Sequence, residues 1–113
     1  MNMFDEPEIP QVTAEEVKRA IDEHENYILL DVRTPGEYAR GKIVGSINLP
    51  LDKVDCDVST VIPDKTAKIY VYCLSGSRSS HAVDVMVELG YTNVFDMEHG
   101  LLGWRAKFFP VAP

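Results

Sequence analysis

At 113 residues, 45% of them apolar and 26% charged, the chain is sized for one soluble domain with a single core and no need of disulfide staples. A net charge of -7 with no basic run argues against a general affinity for nucleic acid or an anionic membrane, and no apolar stretch reaches membrane-spanning length. Two cysteines, Cys56 and Cys73, and three scattered histidines suit neither a secreted disulfide framework nor a structural zinc site, and fit a reducing compartment.

The opening MNMFDEPEIP carries acids and no bases and lacks the charged-then-apolar plan of a signal peptide. Residues 1–8 are expected to be a solvated acidic tail and residues 9–109 a single domain, with a cytoplasmic location. Thr13-Ala14-Glu15-Glu16 has a capping-box pattern, and Ala14, Val17, Ala20 and His24 keep helical spacing behind it, which predicts a helix of about three turns. Tyr27 to Val32, YILLDV, reads as a strand buried on both faces of a parallel sheet. A second capping box, Thr34-Pro35-Gly36-Glu37, opens a short helix that Gly41 is placed to stop. Ile43 to Pro50 predicts a turn and a short strand, residues 51–62 an irregular helix, and Pro63-Asp64-Lys65 a turn. Lys68 to Cys73, KIYVYC, is rich in β-branched and aromatic residues and predicts a strand. Arg78 to Leu89 predicts a helix with Ala82, Val85, Met86 and Leu89 facing inward and Gly90 as its stop. Asn93 to Met97 predicts a strand, and Leu101 to Phe108 a last helix anchored in the core by Trp104. Strands and helices that alternate through short connections make a parallel α/β sheet.

In open parallel sheets, ligands gather beyond the carboxyl ends of the strands. Cys73 ends a strand there, followed by the small residues Leu74, Ser75, Gly76 and Ser77 and then by Arg78. Such a segment can curl so that its backbone N–H groups form an anion-binding nest. The nest, the helix start and the cation would each favour thiolate over thiol, below the free value of about 8.5. The same spacing also fits a plain reading, with Cys73 as a small hydrophobe at the end of a buried strand.

Further motifs narrow the choice. Asp31-Val32-Arg33 with Glu37-Tyr38, the run from Gly41 to Pro50, Tyr72-Cys73-x-Ser75-Gly76-x-Arg78-Ser79, Gly90-Tyr91 with Val94, and Gly100 with Trp104 together resemble a single-domain rhodanese, over nearly the whole chain. The resemblance implies a sheet of about five parallel strands with helices on both faces. It also implies sulfurtransferase chemistry without a cofactor. Cys73 would take the sulfane sulfur of a small anion such as thiosulfate, or of a persulfide, and pass it to cyanide, a thiol or a carrier protein. The amides of Leu74, Ser75, Gly76, Ser77 and Arg78 would hold the persulfide. Three positions depart from the pattern. Lys42 stands where histidine is common and His99 where glycine is usual. Leu74 stands where some thiosulfate-using members carry a basic residue, which removes an anion contact.

Arg78 is expected to contact the anion or order the loop. Asp31 and Arg33 are expected to support the site as an ion pair that holds the Thr34 turn. Ser77 reads as the N-cap of its helix, and the loop's amides, not its hydroxyls, as the binding groups. His99 is placed to reach the pocket rim, and nothing around Cys56 marks a reactive site. Against the enzyme stands a non-catalytic module of the same fold that binds or regulates a protein partner; an intact Cys73 favours the enzyme. The related phosphatase and arsenate-reductase branch has a loop one residue longer, roomier than this one. The chain is expected to be a monomer.

Overall fold

The computed structural model describes residues 9–113, and the acidic tail expected at residues 1–8 lies outside them. Its strands are β1 Gln11–Val12, β2 Ile28–Asp31, β3 Ile47–Asn48, β4 Ile69–Tyr72 and β5 Val94–Met97, paired in the order β1-β5-β4-β2-β3 with every pairing parallel. Between them run helices α1 Ala14–Asp22, α2 Pro35–Ala39, α3 Leu51–Val61 and α4 Ser77–Glu88, and α5 Gly100–Ala106 follows β5.

Both faces of the sheet are covered, so its central strand is buried along its whole length. Side chains alternate across a strand. Ile69, Val71 and Cys73 therefore join the cluster formed with Val54, Val58 and Ile62 near α3 and Ala82, Val83 and Met86 of α4. Tyr70 and Tyr72 point the other way, into the cluster built on Val17 and Ala20 of α1 and Leu101 and Trp104 of α5. Each fully buried aliphatic side chain contributes about 1.5–3 kcal/mol. Trp104 closes the second cluster: it stacks edge-on against Phe109 at 5.0 Å and its indole N–H donates to the Pro110 carbonyl at 2.9 Å. Residues past 109 stay attached, because Lys42 and Ala112 exchange backbone hydrogen bonds of 3.0 and 2.7 Å.

Local signals explain most boundaries. The Thr13 hydroxyl accepts from the Glu16 amide, and Thr34 with Glu37 forms a complete capping box with Pro35 at the first helical position. Several expectations need correction. The two-residue strand β1, too short for a periodic signal, did not emerge from the sequence. The first helix stops at Asp22, and His24 lies beyond it in a left-handed conformation, φ 52°. Residues 51–61 form a regular helix packed by Val54 and Val58. In α4, Ala82, Val85, Met86 and Leu89 face the core as expected, the second and fourth half-buried, and Ser79 and Val83 are buried beside them. Ser77 is not the N-cap. Gly76 takes that place at φ 120°, without a side-chain cap, because the loop turns there through a conformation that disfavours a Cβ.

The link between β5 and α5 fixes the loop after β4. His99 and Gly100 are both left-handed, φ 65° and 53°, which delivers the Leu101 and Leu102 amides to the carbonyls of Cys73 at 2.8 Å and Leu74 at 3.0 Å. A Cβ on Gly100 would lie 2.5 Å from the Leu74 oxygen and 2.6 Å from that of Cys73. Gly100→Ala should therefore lower stability by about 2 kcal/mol or more and loosen the loop, seen as a lower Tm in thermal unfolding and altered Cys73 alkylation rates.

Candidate active site

The turn at Gly76 wraps backbone donors around one sulfur. Cys73 is buried, and its Sγ accepts N–H bonds from Gly76 at 3.1 Å and Ser79 at 3.4 Å, with the Ser79 hydroxyl also at 3.4 Å. Burial pushes the thiol's pKa up, but the Ser79 hydroxyl and the amides of Ser79, Gly76 and Ser75 outweigh it, so the group titrates below its ordinary value. A thiolate so placed can serve as a nucleophile, with hydrogen-bond donors already turned toward it.

Two ion pairs brace the walls. Asp31, at the end of β2, and Arg33 are both buried. The guanidinium reaches Asp31 Oδ2 at 2.7 Å through Nη2 and Oδ1 at 3.1 Å through Nε, and Nη2 also donates to the Gly41 carbonyl at 2.6 Å. This pair ties the β2 end to the chain after α2. The second joins α4 to α2. Arg78 donates to both oxygens of Glu37, at 2.7 and 3.1 Å, while Glu37 also closes the α2 capping box. Arg78 holds the Glu37 carboxyl down at about 2. Arg78 thus meets Glu37, not the sulfur, in a bidentate fork of the kind that fixes orientation.

A cleft of about 240 Å³ opens beside the loop, lined by Arg33, Glu37, Arg40, Gly41, Leu74, Leu101 and Arg105. Asp31 compensates Arg33, and Arg78 compensates Glu37. Arg40 and Arg105 form no ion pair among the described residues, so the cleft carries a net positive charge in an acidic protein. Gly41 makes room for Arg105, whose Nη2 lies 2.9 Å from where a Cβ would sit. On the other flank a cleft of about 280 Å³ is lined by Gln11, Ser75, Gly76, Ser77, Ser80, Asp96, Glu98 and His99.

Of the residues singled out in the sequence, Cys73, Ser75 and Gly76 come together at the sulfur, and Leu74 and Arg33 line the cationic cleft. Asp31 and Arg78 stand behind as partners of Arg33 and Glu37. The Ser77 side chain is exposed at the start of α4, and Cys56 is exposed on α3, where Val54 and Val58 are the residues turned inward. Sequence reasoning missed Ser79 as a sulfur contact, Asp96, and the cations Arg40 and Arg105. Asp96 had a signal: a carboxylate inside the apolar run VFDM must find buried partners. Arg40 and Arg105 lie far apart in sequence and meet only through the fold.

Residues 13–107 match the family model for the rhodanese-like domain. A sulfurtransferase of Allochromatium vinosum is 27% identical over 103 residues, covering 91% of this chain and 94% of that one. The thiosulfate sulfurtransferase PspE of Escherichia coli is 40% identical over 65 residues, 58% of this chain and 62% of that one. Among solved structures, a rhodanese-related protein of Thermoplasma volcanium superposes with a TM-score of 0.80 at 31% identity, covering 91% of this chain and 97% of that chain. No helix among the described residues is long and apolar enough to cross a membrane.

The Glu37–Arg78 pair makes a pH prediction. Because the folded carboxyl titrates at about 2, below its unfolded value near 4.3, its stabilising effect is present above the unfolded value and is lost as pH falls through the folded one. The stability gap between wild type and Glu37→Gln should therefore widen from about pH 2 to about pH 5 and then level off, as read by thermal unfolding at each pH.

Proposed function

Since the chain belongs to the rhodanese-like domain family, we propose that it is a sulfurtransferase that carries sulfane sulfur on Cys73. The observation that carries this reading is the buried sulfur held by N–H groups of Gly76 and Ser79 at the end of β4. The Cys73 thiolate attacks the outer sulfur of thiosulfate, a Cys73–sulfur bond forms as the donor's sulfur–sulfur bond breaks, and sulfite leaves with the electron pair. The terminal sulfur is now the anion, and amides that favoured the thiolate favour the persulfide as well. A thiophilic acceptor such as cyanide, a thiol or a carrier protein then attacks that sulfur and restores the Cys73 thiolate. A persulfide donor loads Cys73 by the same exchange. No step needs a cofactor.

The shape and charge of the site support a small anionic donor. Leu74 brings no charge, but Arg40 and Arg105 stand in the adjoining cleft. The loop from Leu74 to Ser77 is four residues, a close fit to a sulfur atom. Residues 9–109 are assigned as the functional domain, with Asp31 and Arg33 in a supporting role.

Incubation with thiosulfate or a persulfide, followed by intact mass measurement, should show one added sulfur on wild type, none on Cys73→Ser, and its removal by cyanide or a thiol. Failure of every donor to load wild type would replace the enzyme with a module that binds a protein partner. In a second test, Arg40→Gln and Arg105→Gln should each raise KM for thiosulfate by roughly 1.5- to 5-fold, the size of an exposed charge contact, and leave KM for an uncharged organic trisulfide unchanged. Equal effects on both donors would remove the two arginines from donor binding.

A further inference from the structure

A hydroxyl group owns one proton and can give it to one acceptor at a time. Ser79 Oγ has two acceptors around it, Asp96 Oδ1 at 2.5 Å and the Gly76 carbonyl at 3.1 Å, and lies 3.4 Å from Cys73 Sγ, which donates to it as a thiol and becomes a third acceptor as a thiolate. With Asp96 ionised, the short contact claims the proton. The Ser79 lone pair then faces the sulfur and suits only a protonated thiol, which donates to it. With Asp96 protonated, its O–H donates to Ser79 Oγ, and the Ser79 proton is free for an anionic sulfur.

We propose that Asp96 is a positioning residue for sulfur transfer: its protonation decides, through Ser79, whether the sulfur of Cys73 receives a hydroxyl hydrogen bond. This rests on the reading of Cys73 as the sulfur carrier. When Cys73 ionises, its proton passes to Ser79 Oγ as the Ser79 proton passes to Asp96 Oδ1. Serine stays neutral, one proton has moved from sulfur to carboxylate, and nothing is oxidised or reduced. The thiolate, and later the persulfide, is then held by the Gly76 and Ser79 amides and by the Ser79 hydroxyl together.

The surroundings of Asp96 suit a carboxyl that accepts a proton. It is buried, and burial pushes its pKa up against the hydrogen bonds from Ser79, Ser80 and Gln11. Glu98 adds repulsion from the end of β5, and His99 lines the same cleft. From α4, Arg78 is the charged group near the sulfur, and its guanidinium is committed to Glu37. The other oxygen of Asp96 accepts from Ser80 Oγ at 2.9 Å and Gln11 Nε2 at 3.4 Å.

Those last contacts make Asp96→Asn a directed test. Two donors hold the amide oxygen at the Oδ2 position, so its N–H₂ faces Ser79 and mimics protonated Asp96 at every pH. Iodoacetamide alkylation of Cys73 against pH, on the full chain, reads the thiolate directly. Asp96→Asn should lower the apparent pKa of Cys73 by up to about one unit, or tenfold more thiolate below both values. Ser79→Ala should raise it, and Asp96→Asn should add nothing in the Ser79→Ala background. Both changes are conservative, since asparagine matches aspartate in shape and alanine favours a helix over serine; near-ultraviolet circular dichroism of Trp104 checks the fold. An Asp96→Asn profile that superposes on wild type or moves upward overturns the proposal, as does an equal shift with and without the Ser79 hydroxyl. Sulfur loading is measured separately, so coupling can fail while loading survives, and the reverse result would remove the carrier role alone.

Discussion

A charged sulfur excluded from water has to be solvated by the protein, and at Cys73 the groups in reach are the Ser79 hydroxyl and the backbone N–H groups of Gly76 and Ser79. Amide donors are available only where the chain turns so that they converge, and Gly76 at φ 120° provides that turn. Much of the surrounding architecture holds the turn still. β4 supplies the cysteine from a strand buried on both faces, α4 begins immediately after the turn, and α5 is pinned to the carbonyls of Cys73 and Leu74. The donors are in place before any substrate arrives, so they need not reorganise during the reaction.

Charge around this cradle is sorted by pairing. Asp31 with Arg33 and Glu37 with Arg78 each cancel; the first is local but lets Arg33 reach the Gly41 carbonyl, and the second joins α2 to α4. Removing one partner from a buried pair such as the first costs about 3–5 kcal/mol, because a bare charge is left behind. Pairing also decides which cations remain for a substrate. Arg33 and Arg78, the arginines nearest the loop in the motif, are occupied, and the positive character of the cleft comes from Arg40 and Arg105.

The alternating elements and the order of motifs made the parallel architecture readable, since strand and helix periods differ and each element here is short and well bounded. KIYVYC and both Thr-initiated helices stood out because their signals are local. β1 was hidden, because two residues carry no period and gain their structure only by pairing with β5. The Asp31–Arg33 pair was legible because its members sit two residues apart. Glu37–Arg78 spans 41 residues and Ser79–Asp96 spans 17, distances closed by the sheet order and invisible to spacing. Ser77 misled for a related reason. Serine before a helix normally caps it, but here the position before it had to adopt a backbone angle suited to glycine, and the helix begins one residue early.

Between Cys73 and α4 the loop turns backbone donors toward the sulfur, and its own side chains face elsewhere. Leu74, Ser75 and Ser77 are exposed, while the N–H groups and carbonyls of the loop do the holding. Reactivity and selectivity are therefore written in separate parts of the same short segment. The three outward side chains are open to mutational drift that changes which molecules approach the sulfur and leaves its ionisation alone. Gly76 and Gly100 have no such freedom. A lineage, or an engineer, can retarget this loop one side chain at a time without rebuilding its nucleophile.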